Sequence, residues 1–209
     1  MNLPIWAYLP ASVSPPRKGV ANDFSGIVEV AGDESGLKPG DEVFGIQFAV
    51  TTGTLQQLVL IDTKDSASLV VKKPSTWTWE QAAALPLVWL TARTTIAAVE
   101  PDVVKHKRIA VLGGSSSTGM YAVHLAAARG WDILTTCSGR NADFVRSMGA
   151  STVVDYMNTS VPDAVKKYAP DAVVDCVGGT ECLELASRYV TIVGDKTSRA
   201  SMGGSAIYL

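Results

Sequence analysis

Residues Arg108–Gly130 read RIAVLGGSSSTGMYAVHLAAARG, and the fold follows from how this stretch divides. Ile109-Ala110-Val111-Leu112 is a short apolar run of the kind that forms a buried parallel strand. Gly113 to Gly119 is a loop of glycine, serine and threonine. An alanine-rich, helix-forming segment comes next, with Gly130 placed as its stop. Asp132 to Cys137 then supplies a second apolar strand and completes a βαβ unit. Strand, small-residue loop and helix in that order aim backbone N–H groups and a helix N-terminus at a phosphate.

Aligned on its last glycine, the loop reads Gly114-Ser115-Ser116-Ser117-Thr118-Gly119 against the dinucleotide fingerprint G-x-G-x-x-G. Ser116 stands where the second glycine lets the backbone approach a pyrophosphate, and its hydroxyl can itself donate to phosphate. Rival motifs fail. Met120 occupies the place of the Walker lysine, and no serine has glycine two residues away on both sides, as a nucleophile elbow needs.

The chain has 209 residues, 47% of them apolar, and a net charge of −2, so it carries no basic surplus for nucleic acid. Cys137, Cys176 and Cys182 are odd in number and lack C-x-x-C spacing. That suits free thiols in a reducing compartment, here the cytoplasm. The apolar run around Ala82 to Ala92 is broken by Pro86 and too short to span a bilayer. The opening MNLPIWAYLP has no basic segment and two prolines, unlike a signal peptide.

Before the central stretch the pattern is β. Residues 1–22, with prolines at 4, 10, 15 and 16, read as extended coil. Strands are expected at Phe24–Val30, Glu42–Ile46, Leu55–Ile61 and Leu69–Val71, with a Pro39-Gly40 turn between the first two, which suggests a small barrel. Thr78-Trp79-Glu80-Gln81 is a capping box opening a helix to Ala84, and a second helix spans Leu87–Glu100. Trp77, Trp79 and Trp89 read as packing residues, since no basic residues interleave with them.

Beyond Cys137 strands and helices alternate, which makes a doubly wound parallel sheet covered on both faces. Asn141 and Gly149 bracket a short helix, Thr152–Asp155 is a strand, and Ser160-Val161-Pro162-Asp163 starts another helix. Ala172–Cys176 and Tyr189–Val193 are further strands. In dinucleotide folds a carboxylate at the end of the second strand holds the NAD ribose. Here that strand ends Thr136-Cys137-Ser138-Gly139-Arg140. Ser138 and Arg140 suit a 2′-phosphate, hence NADPH; the alternative for Arg140 is a solvated loop charge.

These motifs together resemble the medium-chain dehydrogenase/reductase superfamily, most closely its zinc-free quinone oxidoreductase and enoyl reductase branch. The resemblance is carried by ANDFSGIVEVAG from Ala21, LKPGDEVFG from Leu37, EQAAALPLVWLTA from Glu80, VLGGSSSTG from Val111, TTCSGR from Thr135, SMGASTVVDY from Ser147, DAVVDCVGG from Asp171 and YVTIVGD from Tyr189. It implies an α/β protein: a partial GroES-like β-barrel domain over residues 1–85, then a Rossmann dinucleotide-binding domain over 86–209. Members of the superfamily extend further at both ends, so both halves are expected to be incomplete.

The resemblance also implies roles. Ser116, Ser117 and Thr118 would lie under the pyrophosphate between Gly114 and Gly119, and Tyr156 would join Ser138 and Arg140 at the adenosine 2′-phosphate. Val177, Gly178 and Val193 would line the nicotinamide end, faced by Thr91. The alternative for Tyr156 is a strand-end aromatic covering the sheet. Zinc-dependent relatives have Gly-His-Glu where this chain has Ala21-Asn22-Asp23, and a cysteine near Leu87, so no metal is expected. His106 and His124 read as surface or packing residues.

The function expected is zinc-independent hydride transfer from NADPH to an activated C=C bond or quinone of a small molecule, with no nucleic-acid or membrane partner. The alternatives are a non-catalytic NADPH-binding or interaction protein and, opposed by Asn22 and Leu87, a zinc alcohol dehydrogenase. Catalytic residues are not identified by the sequence, a homodimer is left open, and a mitochondrial location would need a leader ahead of this chain.

Overall fold

The computed structural model describes residues 20–48, 53–178 and 180–193. The expectations for residues 1–19 lie outside these. The chain divides between Leu87 and Val88 into two compact units.

In the first unit, β1 (Asp23–Ile27), β2 (Glu42–Gln47) and β3 (Ser68–Lys72) form an antiparallel sheet in that order. The sheet is consistent with a partial GroES-like β domain. The turn before β2 forms as its residues require: the Asp41 amide donates to the Lys38 carbonyl at 3.1 Å, with Gly40 at φ 88°. Helix α1 (Trp79–Ala83) opens on the expected capping box, Gln81 N–H to Thr78 Oγ1 at 3.2 Å and Thr78 N–H to Gln81 Oε1 at 3.0 Å. The tryptophans pack: Trp77 lies 5.6 Å from Phe44 between ring centroids, and the Lys73 ammonium sits 4.8 Å above Trp79. The Asp23 carboxylate accepts the Leu87 amide at 2.9 Å, and burial raises its pKa from 3.8 to about 6.

Two expectations fail here. The first strand stops at Ile27, three residues short of Val30. No strand forms over 55–61, where Leu55, Leu58 and Leu60 are 75%, 73% and 92% exposed. The Leu55 amide reaches the Val20 carbonyl at 3.0 Å, but no ladder follows. Alternating residues make a strand only where a neighbour supplies the hydrogen bonds.

In the second unit, β4 (Arg108–Leu112), β5 (Asp132–Cys137), β6 (Thr152–Asp155), β7 (Ala172–Asp175) and β8 (Arg188–Thr191) form a parallel sheet in the order β6-β5-β4-β7-β8. The chain winds outward through α3 (Ser117–Ala128) and α4 (Ala142–Ser147), then returns through α5 (Val161–Tyr168) to the other side of β4. The order therefore reverses between β4 and β7, the place where such sheets bind ligands.

Side chains alternate across the sheet as strand geometry demands. Ile109, Val111, Ile133 and Val174 pack with Ala122 and Val123 of α3 and with Ala92, Ile96 and Val99 of α2 (Pro86–Val99). Ala110, Leu112, Leu134 and Val173 pack on the opposite face with Val161 and Val165 of α5. Trp89 meets Tyr121 edge-on at 5.6 Å. Gly130, at φ 70°, follows α3 as its stop.

The amino ends of these strands are fastened by a polar cluster. Asp171 accepts the His106 and Arg108 amides at 2.9 and 3.3 Å, Arg108 pairs with Asp132 at 3.5 Å, and Ser151 Oγ donates to Asp132 at 2.6 Å. The His106 and His124 side chains are exposed. No helix among the described residues is long and apolar enough to cross a membrane.

Candidate cofactor site

The fingerprint loop leaves β4 and is tied at once to β5. The Gly113 amide donates to Thr136 Oγ1 at 2.8 Å, and the Gly114 amide donates to the Thr136 carbonyl at 2.9 Å. Thr135 turns its hydroxyl to the Val111 carbonyl at 2.7 Å. The helix then starts three residues earlier than its sequence suggests, at Ser117 rather than after Gly119. Ser116, extended at φ −74° and ψ 160°, is its N-cap, with Oγ accepting the Gly119 amide at 3.0 Å. A Cβ at Gly119 would lie 2.1 Å from the Gly113 carbonyl oxygen, so that turn admits only glycine.

These bonds decide which donors remain. The amides of Gly113, Gly114, Ser116 and Gly119 are all engaged within the protein. Those of Ser117 and Thr118, the first two of α3, come too early in the helix to have an acceptor inside it. They sit at the positive end of a 12-residue helix, and Ser117 is exposed. Free amides at the positive end of a helix are the chemistry that can hold an anion.

Beside this helix start, the ends of β5 and β6 bring Ser138, Arg140 and Tyr156 to one edge. The Tyr156 amide donates to the Cys137 carbonyl at 3.3 Å, and its ring is 44% exposed. Arg140 is exposed in a 3-10 turn (Gly139–Asn141) and has no ion-pair partner among the described residues. Asn141 does not cap α4; its side-chain amide reaches Ser138 Oγ at 3.4 Å instead.

The Thr136–Arg140 strand end carries no carboxylate of its own, but the neighbouring strand brings one beside it. Asp155 stands opposite Cys137 in the sheet, and its Oδ2 lies 2.8 Å from where a Cβ on Gly139 would be. The carboxylate is held in its own turn, accepting the Met157 amide at 3.0 Å and Asn158 Nδ2 at 2.8 Å. A shallow cleft of about 190 Å³ opens next to it, lined by Tyr156, Thr159, Val161, Pro162, Glu181 and Cys182.

On the other side of β4, the β7 and β8 ends supply Val177, Gly178 and Val193. The Val177 side chain fills the notch above Gly113, where a Cβ would meet Val177 Cγ1 at 2.3 Å. Gly113 has φ 82°, so both space and backbone select glycine there. Val193 lies against Gly178, its Cγ1 3.4 Å from the Cβ position. Thr91 comes from a different element, α2, where it is half-buried and its carbonyl accepts the Thr95 hydroxyl at 3.0 Å. Burial pushes the Cys176 thiol up to about 12 and the Cys137 thiol upward too, so both stay protonated at neutral pH.

The sequence reading missed Thr135, Thr136, Asp155 and Asp175. For the two threonines a signal existed: adjacent hydroxyls inside an apolar strand must find partners. Asp155 and Asp175 each close a strand, and only sheet register shows what they face.

A family model described as zinc-binding dehydrogenase matches residues 117–205. A mitochondrial NAD(P)H oxidoreductase of Homo sapiens is 36% identical over 168 residues, 77% of this chain and 41% of that protein. A trans-enoyl reductase of Talaromyces wortmannii is 31% identical over 210 residues, 85% of this chain and 57% of that protein. The chain thus spans about half the length of the curated relatives it matches. Among solved structures, an alcohol dehydrogenase superfamily protein from Novosphingobium aromaticivorans matches with a TM-score of 0.73 and 27% identity, over 91% of this chain and 60% of that one. The chain is an oxidoreductase relative throughout its matched length, and it belongs to the medium-chain dehydrogenase/reductase superfamily.

Proposed function

We propose that the second unit binds NADPH and that the protein reduces an activated C=C bond or a quinone without zinc. The observation that carries this reading is the cradle: two uncommitted amides, Ser117 and Thr118, at the positive end of α3, beside a loop that tolerates no extra Cβ at Gly113 or Gly119. Ser116 keeps its own proton for a phosphate oxygen while its lone pair caps the helix. Ser138 and Arg140 would take the 2′-phosphate, and Tyr156 would cover the adenosine. Asp155 opposes this less than its charge suggests, because two hydrogen bonds already hold it.

The cofactor would supply the hydride. The protein's part is to hold the nicotinamide end against Val177 and Val193, apolar side chains that keep water out. The amides of Val177 and Gly178 are not available to it, since both donate to Asp175 at 3.0 Å. Zinc independence rests on donor chemistry: Leu87 cannot ligate, and Asn22 replaces histidine. The substrate class rests on the relative described as a trans-enoyl reductase and on the sequence resemblance. Free thiols at Cys137, Cys176 and Cys182 suit a reducing compartment.

The test is a panel of enones, enoyl thioesters and quinones offered with NADPH and with NADH, alongside direct titration of each cofactor. NADPH-dependent loss of an enone or quinone supports the reading. Tight NADPH binding without turnover of any member would leave only the binding half standing.

A further inference from the structure

Asp175 closes β7 with a carboxylate that is fully buried, and the function proposed above makes no use of it. Its two oxygens serve two different strand ends. Oδ1 accepts the Val177 and Gly178 amides, both at 3.0 Å, and so folds the β7 loop back on its own strand. Oδ2 accepts the Thr191 hydroxyl at 2.9 Å, and Thr191 Oγ1 in turn accepts the Val193 amide at 3.1 Å. Burial, with the nearby Asp175 carboxylate adding to it, drives the Tyr189 pKa upward. On the main chain, the Ile192 amide donates to the Asp175 carbonyl at 3.0 Å.

These bonds fix the backbone that carries Val177 and Val193. Val177 rests on Gly113, the first residue of the fingerprint loop, and Val193 rests on Gly178. A buried carboxylate is tolerated only when its lone pairs are filled, and here three donors meet its two oxygens. A lone structural cap for β7 would need only the first oxygen. The second oxygen has a different effect: it sets the spacing between the β7 and β8 loops.

We infer that Asp175 is a positioning residue that fixes Val177 and Val193, and through them the nicotinamide end of the bound cofactor, with no part in holding the adenosine end. This rests on the cofactor reading above. The geometry separates the two ends, because Ser138, Arg140 and Tyr156 come from β5 and β6, on the other side of β4.

The test compares two probes on the same protein: NADPH, and adenosine 2′,5′-bisphosphate, which lacks the nicotinamide half. In Asp175→Ala, NADPH affinity should fall about tenfold or more, while adenosine 2′,5′-bisphosphate stays within about twofold of wild type. Asp175→Asn keeps an accepting oxygen for the two amides but loses the acceptor that Thr191 uses, so it should show an intermediate loss with the same selectivity. Thr191→Val, matched in shape but without the hydroxyl, removes only the second oxygen's link and should show a smaller loss with the same selectivity. Equal weakening of both probes in Thr191→Val and Asp175→Asn, or unchanged NADPH affinity in all three variants, overturns the assignment. A wild-type protein that binds neither probe overturns the cofactor reading itself, and this inference with it.

Discussion

Ser116 Oγ accepts the Gly119 amide at 3.0 Å, so the serine that interrupts the glycine fingerprint is the N-cap of α3. The interruption and the cap are one feature. Where the fingerprint has glycine for close approach, this chain trades some clearance for a fixed helix start.

Ser116→Ala should therefore destabilise the second unit by about 1 kcal/mol, while Ser116→Gly costs only a few tenths. Urea unfolding of both variants checks this. Equal losses would mean that the hydroxyl does not cap the helix in solution.

Gly119→Ala should be worse than either. The new Cβ would meet the Gly113 carbonyl oxygen at 2.1 Å, and both groups are backbone-bound, so neither yields cheaply. A loss of about 1–3 kcal/mol is expected, with weaker cofactor binding beyond the loss of stability. Melting and NADPH titration of the variant give the two numbers separately.

Arg140→Ala should weaken NADPH about ten- to a hundredfold and leave NADH nearly unchanged, because a charge-assisted bond to the 2′-phosphate is worth about 1.5–3 kcal/mol. Asp155→Asn should change the NADPH to NADH preference in the opposite direction, since it removes a negative charge from the same edge. An Arg140→Ala protein that loses both cofactors alike would place the guanidinium in folding rather than recognition.

Asp23 gives a pH dependence whose sign is fixed. Its folded pKa, about 6, lies above the ordinary 3.8 because burial disfavours the charge. The group's contribution is thus fully present below about pH 4 and is lost as pH rises through 6. Asn keeps an oxygen for the Leu87 amide without the charge, so Asp23→Asn should be more stable than wild type at pH 8. The gain is of order 1 kcal/mol once the partial exposure of the site is allowed for. It should vanish near pH 4, and denaturation at the two pH values decides it.

Purified protein should contain no stoichiometric zinc, and a chelator should leave its melting temperature and NADPH affinity unchanged. A catalytic zinc needs about three protein ligands, and two of the positions expected to supply them, a histidine and a cysteine, are Asn22 and Leu87 here. One tightly held zinc per chain in elemental analysis would end this argument.

The Rossmann half was legible because its signals are local. Asp132–Cys137 and Thr152–Asp155 fall where the sequence puts them, and so do the cap at Ser160 and the stop at Gly130. The segment 55–61 was misread because alternation reports which faces a strand could have, not whether a partner exists. At the site, loop residues carried their own signature, whereas Asp175 and Thr191 are joined across 16 residues by a partly buried bond that no spacing rule reveals. Asp155 was overlooked for the same reason. It reaches Gly139 through the β5–β6 register, not through sequence proximity.

The polar cluster of Arg108, Asp132 and Asp171 at the amino ends of the parallel strands has an evolutionary corollary. On the proposed cofactor reading, the residues that fasten the strands and those that would choose the ligand lie at opposite ends of the sheet. Descendants of this sequence can diverge in the loops after Cys137, Asp155 and Asp175 without disturbing the residues that hold the strands in register. Drift should consequently be asymmetric along each strand, slow at its beginning and fast just past its end.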